Sequence, residues 1–135
     1  MKELSFVEVP GWPAPKGYRN GAVVRGKVLF VAGQVGWNAE QVFASDDLVD
    51  QLAQALDNVL AVVRAAGGTA EDIASMTVFV TDIAAYRTET RAIGAAWRPR
   101  LGKHFPAMAL VAVTALVEPS AVVEIQAVAY VGDPA

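Results

Sequence analysis

The sequence predicts an α+β fold in which a mixed sheet of six strands has two helices on one face. Two observations predict it: six segments are rich in β-branched residues, and two others have apolar residues at helical spacing. Along the chain these segments follow the order β, β, β, α, β, α, β, β. Two helices cannot cover both faces of so wide a sheet, so we expect the other face to meet another subunit.

The first three predicted strands lie near the N-terminus. Residues 4–9 form a short β-rich run, and the Pro- and Gly-rich residues 10–17 follow it as a loop. Residues 22–25 and 28–32 are two further β-rich runs on either side of Gly26-Lys27. Because this pair is the length of a tight turn and contains glycine, the pattern predicts a hairpin.

The most regular pattern in the chain is an amphipathic helix that begins at Leu48. Apolar residues recur every three or four positions as far as Val63, and Gly67-Gly68 supplies the stop. Ser45 is the expected N-cap, because its hydroxyl can accept a hydrogen bond from a backbone N–H of the first turn.

The second half of the chain supplies three strands and one more helix. Residues 73–80 are a β-branched run, and Pro99 is expected to end the helix that follows. One stripe of this helix is formed by Tyr86, Thr90, Ile93 and Trp97. Residues 108–116 and 121–131 are the last two strands, separated by the turn at 118–120. Both are apolar on both faces, which favours subunit association.

Composition and charge limit the class of protein and its partners. The 135 residues suit one domain over residues 1–135. Hydrophobic residues make up 54%, above the ordinary share of about 45–50%, and an oligomer interface would hide the surplus. The 11 Lys and Arg against 14 Asp and Glu give a net charge of −3, which disfavours nucleic acid or an anionic membrane as partner.

The chain contains no cysteine and one histidine, His104. Disulfides, thiolate metal sites, cysteine nucleophiles and sites with several histidines are therefore excluded, and His104 is expected to lie at the surface or in a cap. No apolar secretory signal begins the chain, and its uncharged apolar stretches are far shorter than the roughly 20 residues that span a membrane. We expect a cytoplasmic protein without a membrane segment.

Glu124 is the candidate catalytic residue that the pattern itself singles out. It interrupts the apolar run 122–128, where a carboxylate taken out of water without a partner costs several kcal/mol. Such an acid is a candidate proton donor or water-positioning base. The alternative is a structural acid paired across strands or across a subunit boundary, and the pattern leaves both open.

Two further segments could line a pocket. Gly33, Gln34 and Trp37 follow a strand, where flexible backbone, an amide and an indole can contact a ligand. The alternative there is a bulged strand end with Trp37 packed on a neighbour. Tyr18 and Arg19 offer a hydroxyl and a guanidinium from a loop, although exposed loop arginines are usually only solvated.

Five segments, in order along the chain, resemble motifs of the YjgF/RidA family, also known as the endoribonuclease L-PSP family. They are residues 29–34, 51–68, 77–82, Pro106-Ala107 and residues 123–129. The resemblance extends from Tyr18 to Val131. It implies a chorismate-mutase-like α+β fold, a homotrimer whose sheets form a central barrel, and a ligand cleft between adjacent subunits.

The resemblance also implies an activity, the hydrolysis of enamine or imine intermediates to a keto acid and ammonia without a metal or organic cofactor. Glu124 stands at the position of the family's glutamate, which acts through water. Tyr18 or Arg19 stands near the family's tyrosine, and Ala32 replaces a serine before Gly33-Gln34. Met108, after the Pro-Ala pair, replaces the arginine that grips the substrate carboxylate.

Met108 is the main departure from the family pattern, because a thioether offers no donor to a carboxylate. At about 1.5–3 kcal/mol per hydrogen bond to a charged group, the loss weakens carboxylate binding by a factor of tens or more. The resemblance places Ala107 and Met108 in the cleft, which Trp37 and Ala32 would make more apolar and suited to a larger or less acidic ligand. Arg19 could restore the charge.

The resemblance therefore predicts a homotrimer that binds a small molecule between subunits and, if active, hydrolyses an imine with altered specificity. The alternative is a trimer that binds a metabolite without catalysis. An endoribonuclease, which the older family label suggests, is disfavoured by the acidic balance and by the lack of clustered basic residues.

Overall fold

The computed structural model describes residues 3–132 and confirms the α+β class. The predicted single domain of residues 1–135 also includes residues 1–2 and 133–135, which lie outside the described part. The strands are β1 (Glu3–Val7), β2 (Gly21–Arg25), β3 (Lys27–Val35), β4 (Ile73–Val80), β5 (Ala107–Ala112) and β6 (Val123–Val131). The helices are α1 (Leu48–Ala65), α2 (Ile83–Thr88) and α3 (Thr90–Leu101), with one 3-10 turn at Ala70–Asp72.

The six strands form two sheets, so the prediction of one six-stranded sheet is wrong. β1 and β2 pair antiparallel, and the other four strands lie in the order β3-β6-β4-β5, with β4 and β5 parallel. The predicted hairpin between β2 and β3 is also wrong, because each of them pairs with a different strand. Gly26 alone separates β2 from β3, and a tight hairpin needs at least two loop residues.

One face of the four-stranded sheet carries the hydrophobic core. Helix α1 packs on β3 and β6, and α3 packs beside α1. Val31, Val78 and Ile125 of the sheet are almost completely buried beneath the helices. The side chains that the helices contribute to this core include Leu52, Leu56, Val59, Leu60, Val63, Ile93, Trp97 and Leu101. The predicted placement of the helices on one face is therefore confirmed.

Helix α1 begins at Leu48, as predicted, but its N-cap is Asp47 rather than Ser45. The Asp47 carboxylate accepts a hydrogen bond from the backbone N–H of Asp50 at 3.1 Å. Ser45 lies two residues before this N-cap, and its hydroxyl donates to the Asp50 carboxylate at 2.8 Å. The predicted stop is confirmed: Gly67 has a φ of 88°, and the N–H of Gly68 donates to the carbonyl of Val63, which is the end of a Schellman motif.

The second predicted helix is two helices, α2 and α3, that meet at Glu89. Pro99 does not end α3, which continues to Leu101 before Gly102 takes a φ of 61°. Proline removes one donor from a helix, and burial of Trp97 and Leu101 on either side of it compensates for that loss. The sequence predicted that the helix ends at Pro99, because helix propensity does not include the tertiary packing of these side chains.

Gln51 holds two loops against the N-terminal half of α1. Its side chain is 1% exposed, and its amide donates to the carbonyls of Ser45 and Ser120 and accepts from the N–H of Val122. Residues 113–122 are therefore a fixed loop between β5 and β6, and both strands are shorter than predicted. Across residues 3–132, no helix has both the length and the apolar character that a bilayer span requires.

Candidate functional site

The face of the four-stranded sheet that the helices leave uncovered, called the outer face below, carries Glu124. Strand pairing places Glu124 between Val35 on β3 and Phe79 on β4, with Val111 of β5 next in the row. Phe30 on the same face is 78% exposed, and Val111 is 42% exposed. The outer face is thus apolar and open in the single chain, which is typical of a face that meets another subunit.

Glu124 itself is only half-buried in the single chain, so its carboxylate is not taken fully out of water despite its place in an apolar run. The reason is that alternate residues of a strand point to opposite faces, and Val123 and Ile125 take the buried face. Its carboxylate makes no hydrogen bond or ion pair with any residue from 3 to 132. The sequence left open that Glu124 is a structural acid paired with a residue on a neighbouring strand. Among the described residues of the chain, this pairing is excluded.

Gly33 lies directly against the Glu124 side chain. A Cβ atom at Gly33 would stand 2.8 Å from both Cδ and Oε2 of Glu124, closer than real Cβ contacts allow. The approach occurs at a β-bulge, where Ala32 and Gly33 of β3 together face Gln126 of β6. The bulged strand end that the sequence left open as an alternative is therefore present, and it brings the backbone to the carboxylate.

The side chains of Gln34 and Trp37 have partners within their own segment. The Gln34 amide donates to the carbonyl of Ala32 at 3.1 Å, which fixes the bulge. The Trp37 ring contacts the Phe43 ring with centroids 5.7 Å apart, and the Trp37 carbonyl accepts a hydrogen bond from Asn58 of α1. Trp37 therefore packs in the loop after β3.

Tyr18, Arg19, Ala107 and Met108 form a second group at the other edge of the sheet. The N–H of Arg19 donates to the carbonyl of Pro106 at 3.0 Å, and Arg19 bridges to Ala107 at the start of β5. The Arg19 guanidinium lies over the Phe6 ring, 4.4 Å from its centroid. Tyr18 is 42% exposed beside it.

Met108 points to the helix-covered face of the sheet. It pairs with Met76, which is 2% exposed, and it packs on the core. Met108 also lines a cavity of about 190 Å³ between the sheet and the helices, which we call the α3 cavity. The walls of this cavity are Gly17, Leu52, Leu56, Val78, Tyr86, Thr90, Ile93, Gly94, Trp97, Arg98, Phe105, Met108, Leu110 and Ile125.

The structure thus divides the predicted site residues into two groups. Glu124 and the bulge of β3 lie on the outer face, whereas Met108 lies on the face that the helices cover. Met108 is on β5, and β5 lies two strands, or about 10 Å, from the strand β6 that carries Glu124. Within one protomer the sheet itself separates the carboxylate from the thioether.

The α3 cavity contains residues that the sequence reasoning named only as a helix stripe. Tyr86, Thr90, Ile93 and Trp97 all line it, and Gly94 lies among them. Burial raises the pKa of Tyr86 above its ordinary value of 10.0. A glycine inside a helix, next to an aromatic stripe, is the sequence signal that could have indicated a cavity here. Among residues 3–132, no three carboxylate or imidazole groups cluster in a way that could hold a metal ion.

Comparisons with known proteins agree with this architecture. The family model described as Endoribonuclease L-PSP matches residues 12–131. A RutC family protein of Pyrococcus horikoshii is 30% identical over 96% of this chain and 98% of its own length. The 2-iminobutanoate/2-iminopropanoate deaminase of Escherichia coli is 34% identical over 77% of this chain and 80% of its own length.

Solved structures give the same result. A Yersinia pestis Rid family protein of unknown function, YyfB, superposes with a TM-score of 0.84 at 27% identity and covers 95% of this chain and 98% of its own. RidA from an Antarctic Psychrobacter superposes with a TM-score of 0.67 at 26% identity, covering 94% and 99%. The resemblance predicted from five sequence motifs is confirmed: the chain belongs to the YjgF/RidA family, described by its model as Endoribonuclease L-PSP.

Proposed function

We propose that the protein is a homotrimer that binds a small molecule between protomers and hydrolyses a C=N bond, with Glu124 as the catalytic residue. The observation that carries the proposal is that the Glu124 carboxylate lacks a partner among the described residues on an apolar, open sheet face. The 34% identity to a deaminase that acts on 2-iminobutanoate and 2-iminopropanoate supports the reaction class.

The two groups of site residues support a cleft between protomers. Glu124 and Met108 lie on opposite faces of one sheet, so both can contact one ligand only if they come from different copies of the chain. Packing of the protomers around a common axis, with their outer faces turned toward it, would also bury Phe30 and Val111 and would set the edge strand β5 of one protomer beside its neighbour. One protomer then contributes Glu124 with the bulge of β3, and its neighbour contributes Met108 with the α3 cavity.

The proposed reaction consumes one water and needs no oxidant or reductant. Glu124 takes a proton from water as the water oxygen bonds to the carbon of the C=N group, and it passes this proton to the nitrogen. The hydroxyl of the resulting carbinolamine gives its proton to the amine as the C–N bond breaks. A carbonyl compound and ammonia leave, and the carboxylate is unchanged.

Two measurements test this function. Sedimentation should give a particle of three times the 14.2 kDa chain mass. Imines generated in place by an amino-acid oxidase should lose their nitrogen faster with the protein than without it, and Glu124→Gln should slow this loss by about a hundredfold or more. A monomer in solution, or full activity in Glu124→Gln, would contradict the proposal.

One observation favours a second function, a trimer that binds a metabolite without turnover. Met108 offers no hydrogen-bond donor where an active member of this family would hold the substrate carboxylate. A ligand that raises the melting temperature of the protein while no imine is hydrolysed would support this function over catalysis.

A further inference from the structure

The α3 cavity is an apolar space that the packing leaves open. Its lining includes the buried side chains of Leu56 on α1, Val78 on β4 and Ile125 on β6. Trp97 and Phe105 also line it, and their rings stack with centroids 5.8 Å apart. A dry apolar cavity of about 150 Å³ is large enough to accept benzene. At about 190 Å³, the α3 cavity has room for one aromatic ring.

A guanidinium lies at the rim of this cavity. Arg98 is exposed, and its Nη1 lies 3.3 Å from the point where a Cβ atom on Gly94 would stand, so the side chain folds back across the cavity wall. The Arg98 guanidinium forms no hydrogen bond or ion pair with any residue in the described range 3–132. Arg100, two positions on, is instead held by Asp57 through bonds of 2.8 and 3.2 Å.

These features together define the chemistry of a ligand. A guanidinium without a partner is suited to a carboxylate, which it binds through two parallel N–H donors. Tyr86 and Thr90 also line the cavity and carry hydroxyl groups, and most of the other lining residues are apolar. Gly94 has no side chain to occupy this part of the cavity, although glycine costs about 1 kcal/mol in helix propensity relative to alanine.

We infer that the α3 cavity binds a carboxylate that carries one aromatic ring, with the ring in the cavity and the carboxylate on Arg98. Arg98 would then supply the charge that Met108 lacks, from a different element of the fold. The inference deepens the proposed function and rests on it for the reaction: the substrate class becomes 2-imino acids with an aromatic side chain, and the product an aromatic 2-oxo acid.

Binding of unreactive acids tests the inference separately from catalysis. Calorimetry on the full chain should detect 3-phenylpropanoate, and its affinity should exceed that of propanoate and of the neutral 3-phenylpropan-1-ol by about tenfold or more. Arg98→Gln should lower the affinity for 3-phenylpropanoate by about tenfold to a hundredfold and leave the alcohol unchanged. Arg91→Gln, on the same helix but outside the cavity wall, is the matched control and should bind as the wild type does.

A second variant tests the cavity without removing a charge. Gly94→Leu fills the mouth of the cavity and improves helix propensity, so it should abolish binding of 3-phenylpropanoate while the melting temperature is retained or rises. Equal affinity of wild type and Arg98→Gln, equal affinity for acid and alcohol, or unchanged binding in Gly94→Leu would overturn the inference. Hydrolysis of small aliphatic imines without binding of the aromatic acid would sustain the proposed function and reject this ligand class.

Discussion

Glu124 and Met108 lie on opposite faces of the four-stranded sheet, although Glu124 belongs to one of the motifs by which the family is recognised and Met108 directly follows another. The pairing of Phe79 with Glu124 and of Met76 with Met108 fixes this arrangement, because residues directly opposite each other share a face. The sheet therefore separates the two side chains, and the proposed site between protomers would combine them from two copies of the chain.

Gly33→Ala tests the approach of the backbone to the carboxylate. The added methyl group would stand 2.8 Å from Cδ and Oε2 of Glu124, so the half-buried side chain must move away. We expect imine hydrolysis to fall by about a hundredfold, because such a displacement misplaces a catalytic group by about 1 Å. The melting temperature should change little, since the displaced group is a flexible side chain. The control Gly21→Ala adds a methyl group at an ordinary 3.4 Å contact with Val7 and should leave the rate unchanged.

Met108→Arg tests whether the thioether faces the ligand. A guanidinium at this position should strengthen the binding of small carboxylates such as pyruvate by about tenfold or more, as measured by calorimetry. It should also lower the free energy of unfolding, because Met108 packs on apolar core residues. Met108→Leu keeps the volume without the charge and should show no gain in affinity. A gain in Met108→Leu equal to that in Met108→Arg would show that charge at this position does not act on the ligand.

Tyr86 should make stability depend on alkaline pH. Its pKa is raised by burial, so the folded protein holds the phenol proton more tightly than the unfolded chain does. This contribution is fully present below pH 10 and is lost as the pH rises through the raised pKa of the folded state. The melting temperature of the wild type should therefore fall more steeply above pH 10 than that of Tyr86→Phe. Tyr18→Phe, at an exposed position, should follow the wild type.

Gln51→Ala should destabilise the fold more than an ordinary polar truncation on a helix. It removes three hydrogen bonds and leaves the carbonyls of Ser45 and Ser120 and the N–H of Val122 without their partner. At about 1–3 kcal/mol for each buried group left unsatisfied, we expect the free energy of unfolding in urea to fall by about 3 kcal/mol. Gln54→Ala, one turn later, loses a single bond to Asn58 and should cost less than about 1 kcal/mol. Similar losses in the two variants would contradict this role.

The sequence predicted most of the helices and strands, but it predicted less well which strands pair with each other. Residues 73–80 form a strand with the predicted bounds, and α1 begins at the predicted Leu48, because spacing and β-branched content act within a few residues. The hairpin at Gly26 was predicted wrongly, since pairing depends on contacts between distant segments. The N-cap moved from Ser45 to Asp47 because Ser45 is engaged with Asp50.

For the candidate site, the sequence indicated individual residues but not the cavity that they form. Glu124 was recognisable as a carboxylate within an apolar run, and the stripe that extends from Tyr86 on α2 to Trp97 on α3 was recognisable by its spacing. The stripe lines a cavity with Arg98 at its rim only because α3 packs against α1 and the sheet in this arrangement. No local pattern reports that packing.

The sequence by itself determined the α+β class, the family and the residue types available for chemistry, because these follow from local periodicity and short motifs. Only the tertiary structure decided that Glu124 faces outward and Met108 inward, and that Arg98 reaches the cavity that Met108 lines. The physical reason is that side chains alternate across a strand, so one residue of register sets the face of every side chain. That register is fixed by strands far apart in the chain.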